Sequence, residues 1–217
     1  MDDDADAVGS PPCLAPLLVG GHPVDPGTAR DVARFRRAER ARLFAARRGI
    51  ASGERPRMTA RLAERLDTLL SPGPGLRIAV YWPIRGEPDL REWMARAHRA
   101  GAEVLLPVVE RDAPLAFRAW SPGCRMERGV WNIPVPAEGA DRVPDTILAP
   151  LVGVDDEGYR LGNGGGYYDR TLAQFAPLPR LVGVGFGVCR MPTIHPMPWD
   201  IPMQDVVLDD GAVSHRG

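Results

Sequence analysis

Apolar positions along the chain fall first into a helical rhythm and then into short continuous runs. Residues 29–48 use Ala, Arg, Glu and Leu with no Gly or Pro, which predicts one long helix closing at Gly49. Met58, Leu62, Leu66 and Leu69 recur near helical spacing and predict a second helix over 56–70, stopped by SPGPG at 71–75. RIAVYW (77–82) then reads as a buried strand, GEPDL as a loop, REWMARAHRAG (91–101) as a helix and AEVLLPVV (102–109) as the next strand. Strand, helix and strand in that order make a parallel crossover unit.

Residues 117–120 have the length of an edge strand and precede a Gly- and Pro-rich excursion through WNIPVP (131–136). DTILAPLVGV (145–154) is a further apolar strand that delivers the chain into a glycine-rich loop; 168–175 reads as a helix and RLVGVGFGV (180–188) as a central strand. The end, 194–208, is rich in proline and finishes in the apolar VVL. This order predicts an α/β protein, a three-layer α/β/α sandwich with a mostly parallel sheet. Ligands in such sheets sit beyond the carboxyl ends of the strands. Residues 1–28, rich in Asp, Pro and Gly and without sustained period, read as an N-terminal extension, and 29–217 as a single domain.

Composition narrows the chemistry. A formal charge of -1 lacks the global positive excess of a general nucleic-acid binder. No lysine occurs, which excludes a P-loop lysine or a Schiff base and leaves arginine as the phosphate-binding cation. Cys13, Cys124 and Cys189 are far apart and without metal-ligand spacing, which suggests neither a disulfide framework nor a zinc site and fits the cytoplasm. The acidic start MDDDADA, and an apolar run at 14–19 broken by Pro16, point away from secretion and from the membrane.

The loop RLGNGGGYYDR (160–170) is the strongest chemical signal. Gly162, Gly164, Gly165 and Gly166 allow positive φ and close backbone approach, and successive N–H groups ahead of a helix make a nest for an anion. A flexible tight turn explains glycine equally well, but does not call for Arg160 on one flank and Tyr167, Tyr168, Asp169 and Arg170 on the other. Arg36 and Arg40 stand four apart on the first helix, with Arg47 close to their face; bound polyphosphate would relieve their repulsion, whereas a solvated helix surface is the plainer account. Glu87 follows the strand that carries Trp82, and the pair suits a flat, amino-bearing heterocycle; an exposed loop glutamate beside a core tryptophan is the ordinary alternative. Asp169 and Asp200 are candidate magnesium ligands, because magnesium at a triphosphate takes one or two carboxylates. His98 and His195 lack a Ser or Cys partner for a nucleophilic triad, so no nucleophile is assigned.

Over roughly 34–211 these residues resemble the 5-formyltetrahydrofolate cyclo-ligase family, also called methenyltetrahydrofolate synthetases. The resemblance is carried by APLVGVDDEGYRLGNGGGYYDR, supported by RRAER, YWPIRGEPDL, VLLPVV, GVWNIPVP, VGVGFG and DIPMQDVV in order. It implies a fold like those of ribose-5-phosphate isomerases and CoA transferases, and a reaction in which ATP and 5-formyltetrahydrofolate become 5,10-methenyltetrahydrofolate, ADP and phosphate. It further implies that ATP meets Arg36, Arg37, Ala38, Glu39 and Arg40 and the loop Arg160, Leu161, Gly162, Asn163, Gly164, Gly165, Gly166, Tyr167 and Tyr168, with Arg40 and Arg160 stabilising phosphate. Folate is implied at Trp82, Glu87, Trp131, Asn163, Gly164, Gly165, Gly166 and Tyr167, and magnesium at Asp169 and Asp200. The expected partners are these small molecules alone, with neither nucleic acid nor membrane, for a monomer or weak homodimer. Gln204, Met197 and Cys189 depart from the family pattern. Gln204 and Met197 favour an alternative, a divergent relative that binds nucleotide or folate as a regulatory or sequestering module. RNA binding through the arginine-rich first helix is a third class.

Overall fold

Alternation inside the strands decides which layer each side chain joins. In the computed structural model, which describes residues 17–19, 21–110, 113–211 and 213–215, the chain opens with a hairpin, β1 (Leu17–Val19) and β2 (His22–Val24), before α1 (Pro26–Gly49) and α2 (Glu54–Leu70). β3 (Arg77–Ala79), α3 (Arg91–Arg99) and β4 (Glu103–Val108) make the expected crossover unit. Then follow β5 (Ala116–Trp120), β6 (Met126–Arg128), β7 (Pro134–Pro136), β8 (Thr146–Pro150), β9 (Gly153–Val154), β10 (Arg160–Leu161), α4 (Tyr167–Leu172), β11 (Arg180–Gly185), β12 (Asp205–Leu208) and β13 (Val213–His215).

The central sheet has the order β13-β12-β11-β8-β3-β4-β5. The five inner strands run parallel, and β5 and β13 pair antiparallel at the two edges. Ile78, Val104, Leu106, Leu148 and Val182 point to one face, where α2 brings Leu62 and Leu66 and α3 brings Trp93 and Met94. Their neighbours Ala79, Leu105, Ile147, Ala149 and Leu181 point to the other, covered in part by Leu172 of α4. Burial of both faces is why these strands read as continuous apolar runs. Among the described residues, no helix is long and apolar enough to cross a membrane.

α1 behaves differently. Leu43 is its one buried apolar residue, and it packs on Val152, Leu161, Met191 and Ile194 in a small third cluster beneath the glycine loop. That contact holds the helix arginines beside the loop. The helix starts at Pro26, three residues before the predicted Ala29, because the Asp25 carboxylate accepts the Thr28 N–H at 2.6 Å and caps it. Residues 1–16 of the expected extension, with Cys13, lie outside the described residues.

Three strands are well short of their predicted length, among them β11, which ends at Gly185 instead of at 188. β3 ends at Ala79; Val80 donates one further bond to the Leu105 carbonyl, and the chain then turns away at Pro83, which has no N–H to give. The run 145–154 breaks after Pro150, and its last two residues form a separate antiparallel ribbon with β10. This ribbon, and not a strand of the sheet, feeds the glycine loop. The excursion around WNIPVP contains the small hairpin β6–β7, which sequence periodicity did not reveal.

Candidate active site

A cavity of ≈ 960 Å³ opens beyond the carboxyl ends of the parallel strands, where Tyr81, Trp82, Pro107 and Pro150 lie. Its other walls are the glycine loop, Arg36 and Arg40 of α1, the turn with Arg85 and Glu87, Trp131 near β7, and the segment Pro198 to Ile201.

The loop is held from below by a residue that sequence reasoning missed. Asp155 is buried, and its carboxylate accepts the N–H groups of Glu157 (3.2 Å) and Tyr159 (2.9 Å) within the ribbon turn and of Ile194 (3.1 Å) from a distant segment. Removing the carboxylate would strand the buried Ile194 N–H away from water and release the ribbon turn. We expect Asp155→Ala to lower unfolding free energy by about 2–4 kcal/mol in urea titration; a loss below about 0.5 kcal/mol would contradict this role.

Above it, Gly164 (φ 103) and Gly166 (φ 64) take the left-handed conformation that glycine adopts without cost. Gly166 leads directly into α4, which no side chain caps. Among the described residues, the N–H groups of residues 163–166 donate to no protein acceptor. Four consecutive unspent donors on a cavity wall fit the anion nest.

The helix arginines divide. Arg36 donates to the carbonyls of Ile194 (2.9 Å) and His195 (2.8 Å) and forms a two-pronged pair with Asp200. Arg40 donates Nε–H to the Gly162 carbonyl at 2.8 Å and has no carboxylate partner among the described residues. Burial pushes its guanidinium below the usual arginine range, and the positive charges of Arg36 and Arg37 push it further, opposed by Asp200. An uncompensated cation therefore faces the nest. Of the contiguous stretch expected at ATP, Arg37, Ala38 and Glu39 lie off the cavity face: helical rotation takes Arg37 and Ala38 into solvent and Glu39 into a pair with Arg42. Arg160 lines the cavity beside the loop. It is buried, its Nη2 pairs with Asp169 at 3.0 Å and its Nη1 donates to the Ile201 carbonyl at 3.2 Å, so it fastens the loop. The Leu161 side chain belongs to the cluster below the loop.

Glu87 is not the exposed loop residue of the plainer reading. Only 6% of it is accessible; Oε2 accepts the Ile84 N–H at 3.0 Å and Oε1 accepts Asn163 Nδ2–H at 3.3 Å. Burial pushes its carboxyl above the ordinary range, against those two bonds and the charges of Arg47 and Arg85. Trp82 lines the same space, with the Arg91 guanidinium 5.3 Å from its ring centroid. Trp131, 63% exposed and at φ 55, stands edge-on to Tyr167 with ring centroids 5.3 Å apart at the cavity rim. The Tyr168 phenol is pushed up by burial and by Glu87 and lies beside Arg160.

The two candidate metal ligands differ. Both Asp200 oxygens are spent, Oδ1 on Arg36 and Oδ2 on Arg36 and the Met197 N–H. Asp169 spends Oδ1 on Arg160 and the Ile201 N–H (3.4 Å), and its Oδ2 has no partner among the described residues. Among those residues no group of three or more His, Cys, Asp or Glu side chains is placed to hold a metal. One open carboxylate oxygen still fits magnesium, which keeps water and phosphate oxygens for most of its shell. Asp169 has such an oxygen, whereas each Asp200 oxygen already accepts from Arg36. The unusual positions lie aside from this chemistry. Gln204 Oε1 accepts the Leu181 N–H at 2.8 Å and does not line the cavity, and Met197 and Cys189 are buried. The missing charge at Gln204 therefore no longer favours a divergent, non-catalytic relative. His22, Arg85 and Trp199 also line the cavity and were not among the sequence candidates, whereas Arg170 was expected on the loop's flank and lines it too.

Comparison with known proteins places this geometry among relatives. The family model described as the 5-formyltetrahydrofolate cyclo-ligase family matches residues 32–209. The chain is 31% identical over 170 residues to the 5-formyltetrahydrofolate cyclo-ligase of Escherichia coli, covering 74% of this chain and 93% of that protein. It is 33% identical over 142 residues to that of Mycolicibacterium smegmatis, covering 61% and 73%. Among solved structures it resembles the 5,10-methenyltetrahydrofolate synthetase of Aquifex aeolicus, with a TM-score of 0.71 and 29% identity over 83% of this chain and 92% of that one. The fold also matches the synthetase of Mycoplasma pneumoniae, with a TM-score of 0.66 and 23% identity over 79% and 97%.

Proposed function

The chain belongs to the 5-formyltetrahydrofolate cyclo-ligase family, and from that premise we propose that its cavity takes ATP and 5-formyltetrahydrofolate together and joins N10 to the formyl carbon. The formyl oxygen attacks the γ-phosphorus and ADP leaves. N10 then attacks the activated carbon, gives up its proton and expels phosphate, which leaves the 5,10-methenyl ring. Such a reaction needs alignment and charge neutralisation more than a nucleophilic side chain. In the sequence His98 and His195 lack a Ser or Cys partner for a triad, in keeping with that.

The observation that carries the reading is Arg40. It is a partly buried cation with no carboxylate partner among the described residues, beside Gly162 and Gly164 and next to unspent N–H groups. A polyphosphate would satisfy both and relieve the crowding of Arg36 and Arg40. Arg36 is the second phosphate-side cation, with Asp200 aiming it. Glu87 and Asn163 offer an acceptor and an amide to a pterin edge, while Trp82, Trp131 and Tyr167 offer flat faces to its rings. Asp169 would hold a magnesium ion carried on the phosphates, which would neutralise their charge. We take a monomer or weak homodimer as the working unit and assign it to the cytoplasm. Arg36 and Arg40 face the cavity and not a solvent stripe, which weighs against RNA binding.

The test is the absorbance of the methenyl product on mixing the protein with 5-formyltetrahydrofolate, ATP and magnesium. We expect turnover that stops when either substrate is withheld and falls sharply when the metal is chelated. No product at saturating ATP, folate and metal would reject the proposal.

A further inference from the structure

Glu87 stands on a tight turn that is stiff for identifiable reasons. The Glu87 N–H donates to the Ile84 carbonyl at 3.0 Å, and the two residues between, Arg85 (φ 50) and Gly86 (φ 74), are both left-handed. The Glu87 carboxylate returns to the Ile84 N–H and closes the turn on itself. A Cβ built at Gly86 would stand 2.9 Å from Arg55 Nη1 and 3.6 Å from Arg47 Cδ. Two arginines thus lie directly under the turn that presents Glu87.

Arg47 is the unusual one. It is 2% accessible, donates Nη2–H to the Leu151 carbonyl, and leaves Nη1 buried with no partner. Arg55 donates to the Arg47 carbonyl at 3.0 Å and fixes the end of α1 in place. A buried guanidinium without a bonded carboxylate is costly to keep. Holding up the Leu151 carbonyl does not need its charge, since a neutral donor would serve. The groups facing Arg47 are Glu87, Tyr81, Cys189 and Arg55, and those facing Glu87 are Arg47, Arg85, Asn163, Tyr81 and Tyr168. Glu87 is the one carboxylate in this set.

We propose that Arg47 is a positioning residue for folate: its buried charge, packed under the turn, keeps the Glu87 carboxylate ionised and aimed into the cavity. It also ties the ATP-side helix to the folate-side turn, because Arg40 and Arg47 lie seven residues, two helical turns, apart on α1. The inference rests on Glu87 being a folate contact. The expected sign follows from burial, which already pushes the Glu87 carboxyl up, and from Arg47, which pulls it down. Without Arg47 the ionised form is lost at a higher pH.

The experiment measures KM for 5-formyltetrahydrofolate and for ATP against pH in the full-length protein. Arg47→Met should raise the folate KM several-fold, on the order of fivefold, leave the ATP KM near its starting value and move the acid limb of folate use to higher pH. Arg47→Lys should keep the acid limb close to that of the original protein. Arg47→Met placed on Glu87→Gln should add little, because the group it acts through is gone. If Arg47→Met does not fold, Arg47→Gln, which keeps a donor for Leu151, carries the same decision. A folded variant whose folate KM and acid limb do not move, or whose two KM values rise together with the limb fixed, would overturn the proposal and leave Arg47 a purely structural residue. Should Glu87→Gln itself leave the folate KM unchanged, the folate site has been misplaced and the role of Arg47 falls with it.

Discussion

Arg40→Ala is expected to lower kcat/KM for ATP by about 10²–10³-fold, the loss seen when one preorganised donor to developing charge is removed. The folate KM should stay within about twofold. The bond to Gly162 is the one Arg40 makes to the protein among the described residues, and its guanidinium sits against the positive charges of Arg36 and Arg37. Deleting it therefore removes repulsion, and the thermal midpoint should hold steady or rise. Function lost without stability lost is the mark of a binding group. Steady-state kinetics together with a melting curve decide the matter. An unchanged ATP requirement would remove Arg40 from the site, and a collapsed fold would show that it is structural.

Glu87→Ala should act on the other substrate, cutting kcat/KM for 5-formyltetrahydrofolate by roughly 10–10²-fold, as expected for charge-assisted hydrogen bonds worth about 1.5–3 kcal/mol. A smaller rise in ATP KM should accompany it, because Asn163 of the phosphate loop loses its Glu87 partner. The acceptor to the pterin is the ionised form, and burial raises the carboxyl above the ordinary glutamate range. Folate use should therefore begin to fail, as pH falls, at a higher pH than an exposed glutamate near 4.3 would give. Glu87→Gln carries no proton to titrate, so its pH profile should lose that limb. Rates measured across the acid range with each variant check both statements. A Glu87→Ala protein with ordinary folate kinetics would contradict the site.

The architecture was legible because it rests on local patterns. Unbroken Ala, Arg and Glu gave α1, the crossover unit gave the parallel sheet, and four glycines between charged flanks marked the loop. What stayed hidden depends on contacts far apart in the chain. Asp155 supports the loop partly through Ile194, 39 residues away, and Asp200 reaches Arg36 across 164. No spacing rule joins such pairs. Arg160 and Arg40 look alike in sequence, and only the carboxylate beside one and its absence beside the other separate a fastening residue from a free cation. Helix rotation likewise distinguishes Arg36 and Arg40 from Arg37, Ala38 and Glu39, although the five are contiguous in sequence. The buried charge of Arg47 beneath Glu87 is legible only once α1 and the Ile84–Glu87 turn are seen in contact.

Hydrogen exchange of the loop N–H groups probes the nucleotide site without requiring turnover. With a non-hydrolysable ATP analogue and magnesium, peptides spanning 160–170 should gain protection, together with those containing Arg36 and Arg40, and the Arg40→Ala protein should show much less at the same concentration. If the analogue binds while exchange across 160–170 is unaltered, the phosphates rest elsewhere and the proposed ATP site is wrong.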